Sequence, residues 1–182
     1  MTCCHHEPVF LPEGTQVINV CPGCDRRYRE LYKGISTTSL WEILSETKDF
    51  PFPDYKGKTM TIHDACPTRT EPRVQESVRK LLKRMNIELI EPKLTKDKSV
   101  CCGDDFYGKV SKDKLIEQMK KRADQMPSED VVVYCVSCIK SMFNGGKKPH
   151  YLIDLLFNEE TTSGTLDPDS WHSEIDKFIE SH

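Results

Sequence analysis

Long apolar runs are missing from this sequence of 182 residues. The first residues, 1–6, contain no basic segment followed by an apolar stretch, and no later stretch approaches the length of a bilayer-spanning helix. The sequence also lacks a large excess of positive or negative charge: its formal net charge is -3, and residues of both signs are interspersed. These absences predict a globular cytoplasmic protein that has no membrane span and binds no nucleic acid.

Fingerprints of the common redox cofactors are also missing. The sequence has no glycine-rich dinucleotide or flavin pattern and no ferredoxin-type run of closely spaced cysteines. Without these elements, the chain cannot complete an oxidoreductase reaction alone. Any redox role therefore predicts a partner subunit that carries flavin or further iron–sulfur clusters.

Cysteine, in contrast, is abundant, with nine residues in the chain. In a reducing compartment this number favours metal or redox chemistry over a disulfide framework. The nine form two adjacent pairs, two Cys-x-x-Cys motifs and one single residue: Cys3 with Cys4, Cys101 with Cys102, Cys21 with Cys24, Cys135 with Cys138, and Cys66. Adjacent thiolates suit a polynuclear metal centre, because a disulfide between neighbours would strain the intervening peptide.

The two Cys-x-x-Cys motifs have similar surroundings, which indicates an internal duplication. Each motif follows a short apolar run that predicts a buried strand, and each precedes two predicted helices. The predicted strands are 17–20 and 131–134, and the predicted helices are 25–31, 39–44, 139–143 and 150–156.

Further strands and helices alternate along the rest of the chain. Strands are predicted at 59–62 and 87–90, and helices at 71–85 with Thr70 as its cap, at 111–126, and from Asp169 onward. This alternation predicts an α/β fold of parallel βα units in two related lobes, of which the amino-terminal one is truncated, with an additional C-terminal helix. The predicted boundaries are 1–55 for the first lobe, 56–160 for the complete second lobe and 161–182 for a linker and the amphipathic helix.

Three of the cysteines follow predicted strands, two of them directly and one after a short turn. Ligands of parallel α/β folds collect at the carboxyl ends of the strands, where Cys21, Cys66 and Cys135 are expected. The first turn of a helix also favours a thiolate. Gly103 would let the backbone approach a metal closely. The cysteines are therefore predicted to converge.

Three segments carry a family resemblance: IHDACP at 62–67, CCG at 101–103 and YCVSC at 134–138. Together they resemble the CCG, or cysteine-rich, domain found in the cysteine-rich subunit of heterodisulfide reductases and in the iron–sulfur subunits of lactate and glycolate oxidases. The resemblance covers about 59–157 as one whole module. It implies a noncubane 4Fe-4S cluster held by Cys66, Cys101, Cys102, Cys135 and Cys138.

The resemblance also implies a function. The chain would be an electron-transfer or heterodisulfide-reductase-like subunit in thiol–disulfide or organic-acid redox metabolism, with a small disulfide or thiol as the substrate. A non-catalytic, zinc-stabilised binding module is the alternative. A metal-free dithiol protein is a third reading, although Cys-x-x-Cys alone carries little weight.

The first lobe departs from the family pattern. It lacks the leading cysteine, and a histidine follows its cysteine pair where the family has glycine. Its remaining candidate metal ligands are Cys3, Cys4, Cys21 and Cys24. These four sulfurs predict zinc or a second iron–sulfur cluster, with His5 or His6 as substitute ligands. Otherwise the start is incomplete, or another subunit supplies the missing part.

Several charged residues near the motifs are interpreted as structural. His63 is expected to be a hydrogen-bonded group at the end of its strand and Asp64 to order the turn, with tuning of a cluster as the alternative. The basic runs 80–84 and 120–122 are expected to be solvated helix faces.

Overall fold

The computed structural model describes residues 11–181 of the protein. Cys3, Cys4, His5 and His6 therefore lie outside the described residues. The helices are α1 Pro22–Leu31, α2 Leu40–Glu46, α3 Pro72–Arg84, α4 Lys112–Ala123, α5 Val136–Asn144, α6 Leu152–Leu156 and α7 Pro168–Glu180. The strands are β1 Gln16–Asn19, β2 Ser36–Ser39, β3 Lys58–His63, β4 Ile87–Ile90, β5 Asp130–Val133 and β6 Lys148–Tyr151.

A parallel sheet of four strands forms the centre of the second lobe, in the order β4-β3-β5-β6. Its two middle strands are buried, with Met60, Ile62 and Val132 fully inaccessible to solvent. Strands covered on both faces have continuous apolar sequences, which explains the apolar runs of this lobe. The predicted α/β fold of parallel βα units with a C-terminal helix is confirmed.

The first lobe repeats part of this arrangement. Its strands β1 and β2 pair in parallel, and the order β1-α1-β2-α2 is the same as β5-α5-β6-α6. Gly34 and Gly146, which follow the first helix of each copy, have φ angles of +81° and +79°. This left-handed conformation favours glycine in both copies, although Tyr32 after α1 is extended and Gly145 after α5 is still helical.

Two edge strands and one helix cap differ from the sequence prediction. Strand β2 has the polar sequence STTS, and β6 contains Pro149, so neither has an apolar alternation. Proline is tolerated in β6 because that strand lies at the sheet edge. Thr70 does not cap α3, since Glu71 occupies the cap position and Pro72 begins the helix.

The two lobes pack against each other through α2 and α3. Trp41 of α2 is fully buried in the same core as the second-lobe strands. Arg84 of α3 donates a hydrogen bond to the Thr47 carbonyl at 2.5 Å and lies 4.0 Å above the Phe52 ring. These contacts fix the position of the first lobe against the second. The boundaries at 55/56 and 160/161 stay predictions.

A buried ion pair fixes the carboxyl end of β3. Asp64, which is fully buried, accepts hydrogen bonds from both terminal nitrogens of Arg79 at 2.8 and 3.1 Å. It also accepts from the Tyr134 hydroxyl at 2.8 Å and from the Thr95 hydroxyl at 2.7 Å. Burial would raise the pKa of Asp64, but the hydrogen bonds and charge of Arg79 outweigh it and lower the pKa to about 2. Asp64 therefore joins β5, α3 and the 95–99 loop.

Replacing Asp64 with Asn should lower the free energy of unfolding by about 3 kcal/mol, because Arg79 loses its buried counter-charge. The folded-state pKa of about 2 lies below the ordinary value of 3.8, so Asp64 stabilises the fold fully above pH 4 and loses that effect as the pH falls toward 2. Urea unfolding of both proteins near neutral pH and in acid measures this difference, which should shrink in acid.

Glu91→Gln is the matched control, since Glu91 is the more exposed acidic partner of Arg79, with 39% of its side chain accessible. It should destabilise the protein less than Asp64→Asn. Equal losses from the two variants would contradict the central role of Asp64.

Candidate metal centre

Five second-lobe cysteines meet at the carboxyl edge of the sheet. They come from the turn after β3, from the loop after β4, and from the start of α5 after β5. All five line one cavity of about 50 Å³: Cys66, Cys101, Cys102, Cys135 and Cys138. The last three are buried, while the first two are half-buried. The sequence prediction that these five side chains converge agrees with this geometry.

The five thiols form a continuous chain of sulfur–sulfur hydrogen bonds: Cys66, Cys101, Cys102, Cys138 and Cys135. Hydrogen bonds from Cys102 and Cys66 lower the pKa of Cys101 to about 2. Hydrogen bonds from Cys102 and Cys135 lower the pKa of Cys138. The pKa of Cys102 is raised, because its proton bridges two sulfurs that carry negative charge. The five sulfurs are therefore close enough for a metal centre to replace their thiol protons.

Gly103 brings the cysteine pair close to α4. Its φ angle is +112°, and a Cβ atom there would lie 2.8 Å from the Met119 Cγ and 2.9 Å from the Met119 nitrogen. The Gly103 N–H donates to the Cys101 Sγ at 3.4 Å. Both the conformation and the space therefore require glycine in the CCG segment.

The amino terminus of α5 supplies a favourable field for the sulfurs. Cys135 is the N-cap of this nine-residue helix, and Cys138 lies in its first turn. Unpaired N–H groups and the helix dipole stabilise thiolates at such a position. The first lobe has the same arrangement, because Cys21 caps α1 and Pro22 occupies the first helical position.

Cys21 lies beside the second-lobe cysteines. Its Sγ is 3.9 Å from the Sγ of Cys135, and Gly23 and Arg26 of α1 line the same cavity. Cys24 is a half-buried residue of α1. The lobe packing therefore brings a cysteine that was assigned to a first metal site up to the second one. The four-sulfur site of the first lobe stays a prediction, since two of its cysteines lie outside residues 11–181.

His63 and Arg122 lie next to the sulfurs, on the side of the cavity where α4 packs. A ring nitrogen of His63 is within 4.8 Å of the Sγ atoms of Cys102 and Cys138. The Arg122 Nε donates to the His63 Nδ1 at 3.1 Å. Only 2% of Arg122 is accessible, so the prediction of a solvated face is wrong for this residue.

The sequence does contain a signal for the burial of Arg122. Leu115, Met119 and Met126 form an apolar stripe, and position 122 falls on that stripe at helical spacing. The position of Arg122 on the helix is therefore a better guide to its burial than its place in a basic run.

A buried charged cluster joins the C-terminal helix to the cysteine loops. Lys140 Nζ lies 2.6 Å from an Asp104 oxygen and 3.1 Å from the His172 Nε2. The Tyr107 ring stacks on the His172 ring with centroids 3.5 Å apart. Asp104 and Lys140 each follow a cavity cysteine by two residues. The sequence contains no local signal of this cluster, because its members lie in the loop after the cysteine pair, in α5 and in α7.

Lys140→Met should destabilise the protein by about 3 kcal/mol, because Asp104 would lose its buried cationic partner. Hydrogen exchange should accelerate most in α7, which His172 anchors to this pair. Lys112→Met is the matched control, since it breaks the exposed ion pairs of Lys112 with Asp167 and Asp169 at the start of the same helix. An equal acceleration of exchange in both variants would show that the buried cluster does not anchor α7.

Comparison with known families agrees with the geometry of the centre. Residues 60–143 match the family model of the CCG cysteine-rich domain. The second lobe therefore contains a segment similar to the CCG cysteine-rich domain, and its clustered thiols indicate metal binding. No curated protein and no solved structure matched the chain. Within the described residues, every helix is too short or too polar to cross a membrane.

Proposed function

We propose that this protein is an iron–sulfur electron-transfer subunit, similar in role to the cysteine-rich subunit of heterodisulfide reductases. Its noncubane 4Fe-4S cluster would be held by Cys66, Cys101, Cys102, Cys135 and Cys138. The observation that carries this proposal is that five cysteine sulfurs line one cavity in a continuous chain of contacts. A structural zinc ion takes four ligands, whereas five thiolates suit a polynuclear centre.

Two further features support the fit of such a cluster. Gly103 brings backbone to the sulfurs where a side chain would collide with α4. The His63 Nε2 is buried and has no hydrogen-bond partner among the described residues, as expected for a group that faces a further component of the centre. When bound, the cluster would supply one-electron chemistry.

The surrounding residues would control access to the centre. Buried Cys102, Cys135 and Cys138 keep water from one side of the sulfurs, while half-buried Cys66 and Cys101 leave the other side approachable. Arg26 of the first lobe lines that cavity and adds positive charge. A small disulfide or thiol is the proposed substrate, and a cytoplasmic subunit with flavin or further iron–sulfur clusters is the proposed electron partner.

A zinc-stabilised binding module is the second candidate. One observation favours it: His63, Cys102 and Cys138 place three metal-ligating atoms within 4.8 Å of one another. With a fourth sulfur these would meet the coordination number of zinc. Metal analysis separates the candidates, since a colourless protein that contains zinc and no acid-labile sulfide would support this one.

Cys101→Ser and Cys135→Ser should each lower the iron and sulfide content by more than half after anaerobic reconstitution, because each removes one of five ligands. Cys3→Ser should have little effect, since it belongs to the predicted first-lobe set. Elemental analysis and electron paramagnetic resonance of the full-length protein measure these changes.

Cys21→Ser is the sharper control, because Cys21 lies 3.9 Å from Cys135 but is absent from the five-ligand set. It should retain the iron content of the wild-type protein. Equal losses in Cys3→Ser, Cys21→Ser and Cys135→Ser would show that the two motifs build one shared site, and the assignment of five second-lobe ligands would then be wrong.

A further inference from the structure

His63 is the last residue of β3 and is fully buried between the sulfurs and α4. Its Nδ1 accepts a hydrogen bond from the Arg122 Nε at 3.1 Å. Its Nε2 makes no hydrogen bond of good geometry among the residues that the structure describes, although the ring lies beside Cys138 and lowers the pKa of that thiol. A buried ring nitrogen without a partner is costly, so a group in the metal centre is expected to satisfy it.

Arg122 is held in place by three acceptors. Besides His63, its Nη1 donates to the Gln125 side-chain oxygen at 2.8 Å, and its Nη2 donates to the Leu94 carbonyl at 2.9 Å. A guanidinium group has five N–H donors and no acceptor. The contact between Arg122 and His63 therefore has one direction only, with the imidazole as the acceptor.

This direction fixes the position of the histidine proton. The Nδ1 must keep its lone pair free for Arg122, so a neutral His63 carries its proton on Nε2. A proton on Nδ1 would point an N–H group at the Arg122 Nε–H, which the observed contact does not allow. The Nε2 therefore has an N–H group and no lone pair available for a metal ion.

We propose that His63 is not a metal ligand but a positioning residue that donates its Nε2–H to a sulfur of the centre, with Arg122 fixing the tautomer. The nearest protein sulfurs are those of Cys102 and Cys138. Hydrogen bonds to cluster sulfurs raise the reduction potential, because they stabilise the more negative reduced state. The effect on potential rests on the proposed iron–sulfur function, whereas the tautomer does not.

The first test is the tautomer itself, read from long-range nitrogen–proton correlations of the full-length, 15N-labelled protein without metal. The wild-type protein should show the His63 proton on Nε2. Arg122→Met should give a mixture of both tautomers, because the donor to Nδ1 is gone. A proton on Nδ1 in the wild-type protein would overturn the proposal.

The second test is a redox titration of the reconstituted protein. His63→Leu should keep its iron and sulfide content but shift the equilibrium about tenfold toward the oxidised form, which is about 59 mV for a one-electron couple. His63→Gln should recover part of that shift, since its amide also donates. His150→Leu is the control, because His150 pairs with Asp130 at the start of β5, away from the cysteines, and should leave the potential unchanged.

The outcomes distinguish this proposal from the proposed function. Wild-type protein that takes up no iron would refute the function, and the tautomer spectrum would then decide the role of His63. Loss of iron in His63→Leu, together with a strong imidazole nitrogen coupling in pulsed electron paramagnetic resonance of the wild-type protein, would make His63 a ligand. Retained iron with an unchanged potential in His63→Leu would also overturn the proposal.

Discussion

Crowding of thiol sulfurs at one edge of a parallel sheet is the constraint on which the rest of this structure depends. The second-lobe cysteines cannot all carry negative charge in mutual contact, so they must share protons or bind metal. The sheet places them there because β3 and β5 are adjacent and end at the same edge. Asp64 with Arg79 then holds that edge against α3. The helices, glycines and buried charges around the cavity all contribute to keeping these sulfurs together.

The sequence predicted the buried strands well and the edge strands poorly. Strand β4 lies at 87–90 as expected, and β1, β3 and β5 differ from their predictions by one residue at either end. These strands are recognisable because burial requires apolar side chains. Strands β2 and β6 are formed by pairing with a neighbour, and the sequences STTS and KPHY contain no local signal of that pairing.

The candidate metal centre likewise contains residues whose position was predictable from the sequence and residues whose position was not. Convergence of Cys66 and Cys135 was predictable, because both follow parallel strands. The place of Cys101 and Cys102 beside them was implied by the family resemblance. The approach of Cys21 to Cys135 was not predictable, since it depends on how α2 packs against α3. The buried position of Lys140 is also a tertiary effect, because composition places lysine at the surface. The burial of Arg122, in contrast, agrees with its place on the apolar stripe of α4.

Those two cations have different electrostatic partners. Lys140 is paired with Asp104, so its burial is compensated within the protein. Arg122 bonds to an imidazole, an amide and a carbonyl, and no carboxylate pairs with it within the described residues. A buried guanidinium without a direct carboxylate partner is destabilising. The nearby negative groups that favour the charged form of Arg122 are the cysteine sulfurs and Asp64. The charge of Arg122 therefore favours thiolates or a metal–thiolate cluster over neutral thiols at the end of β3.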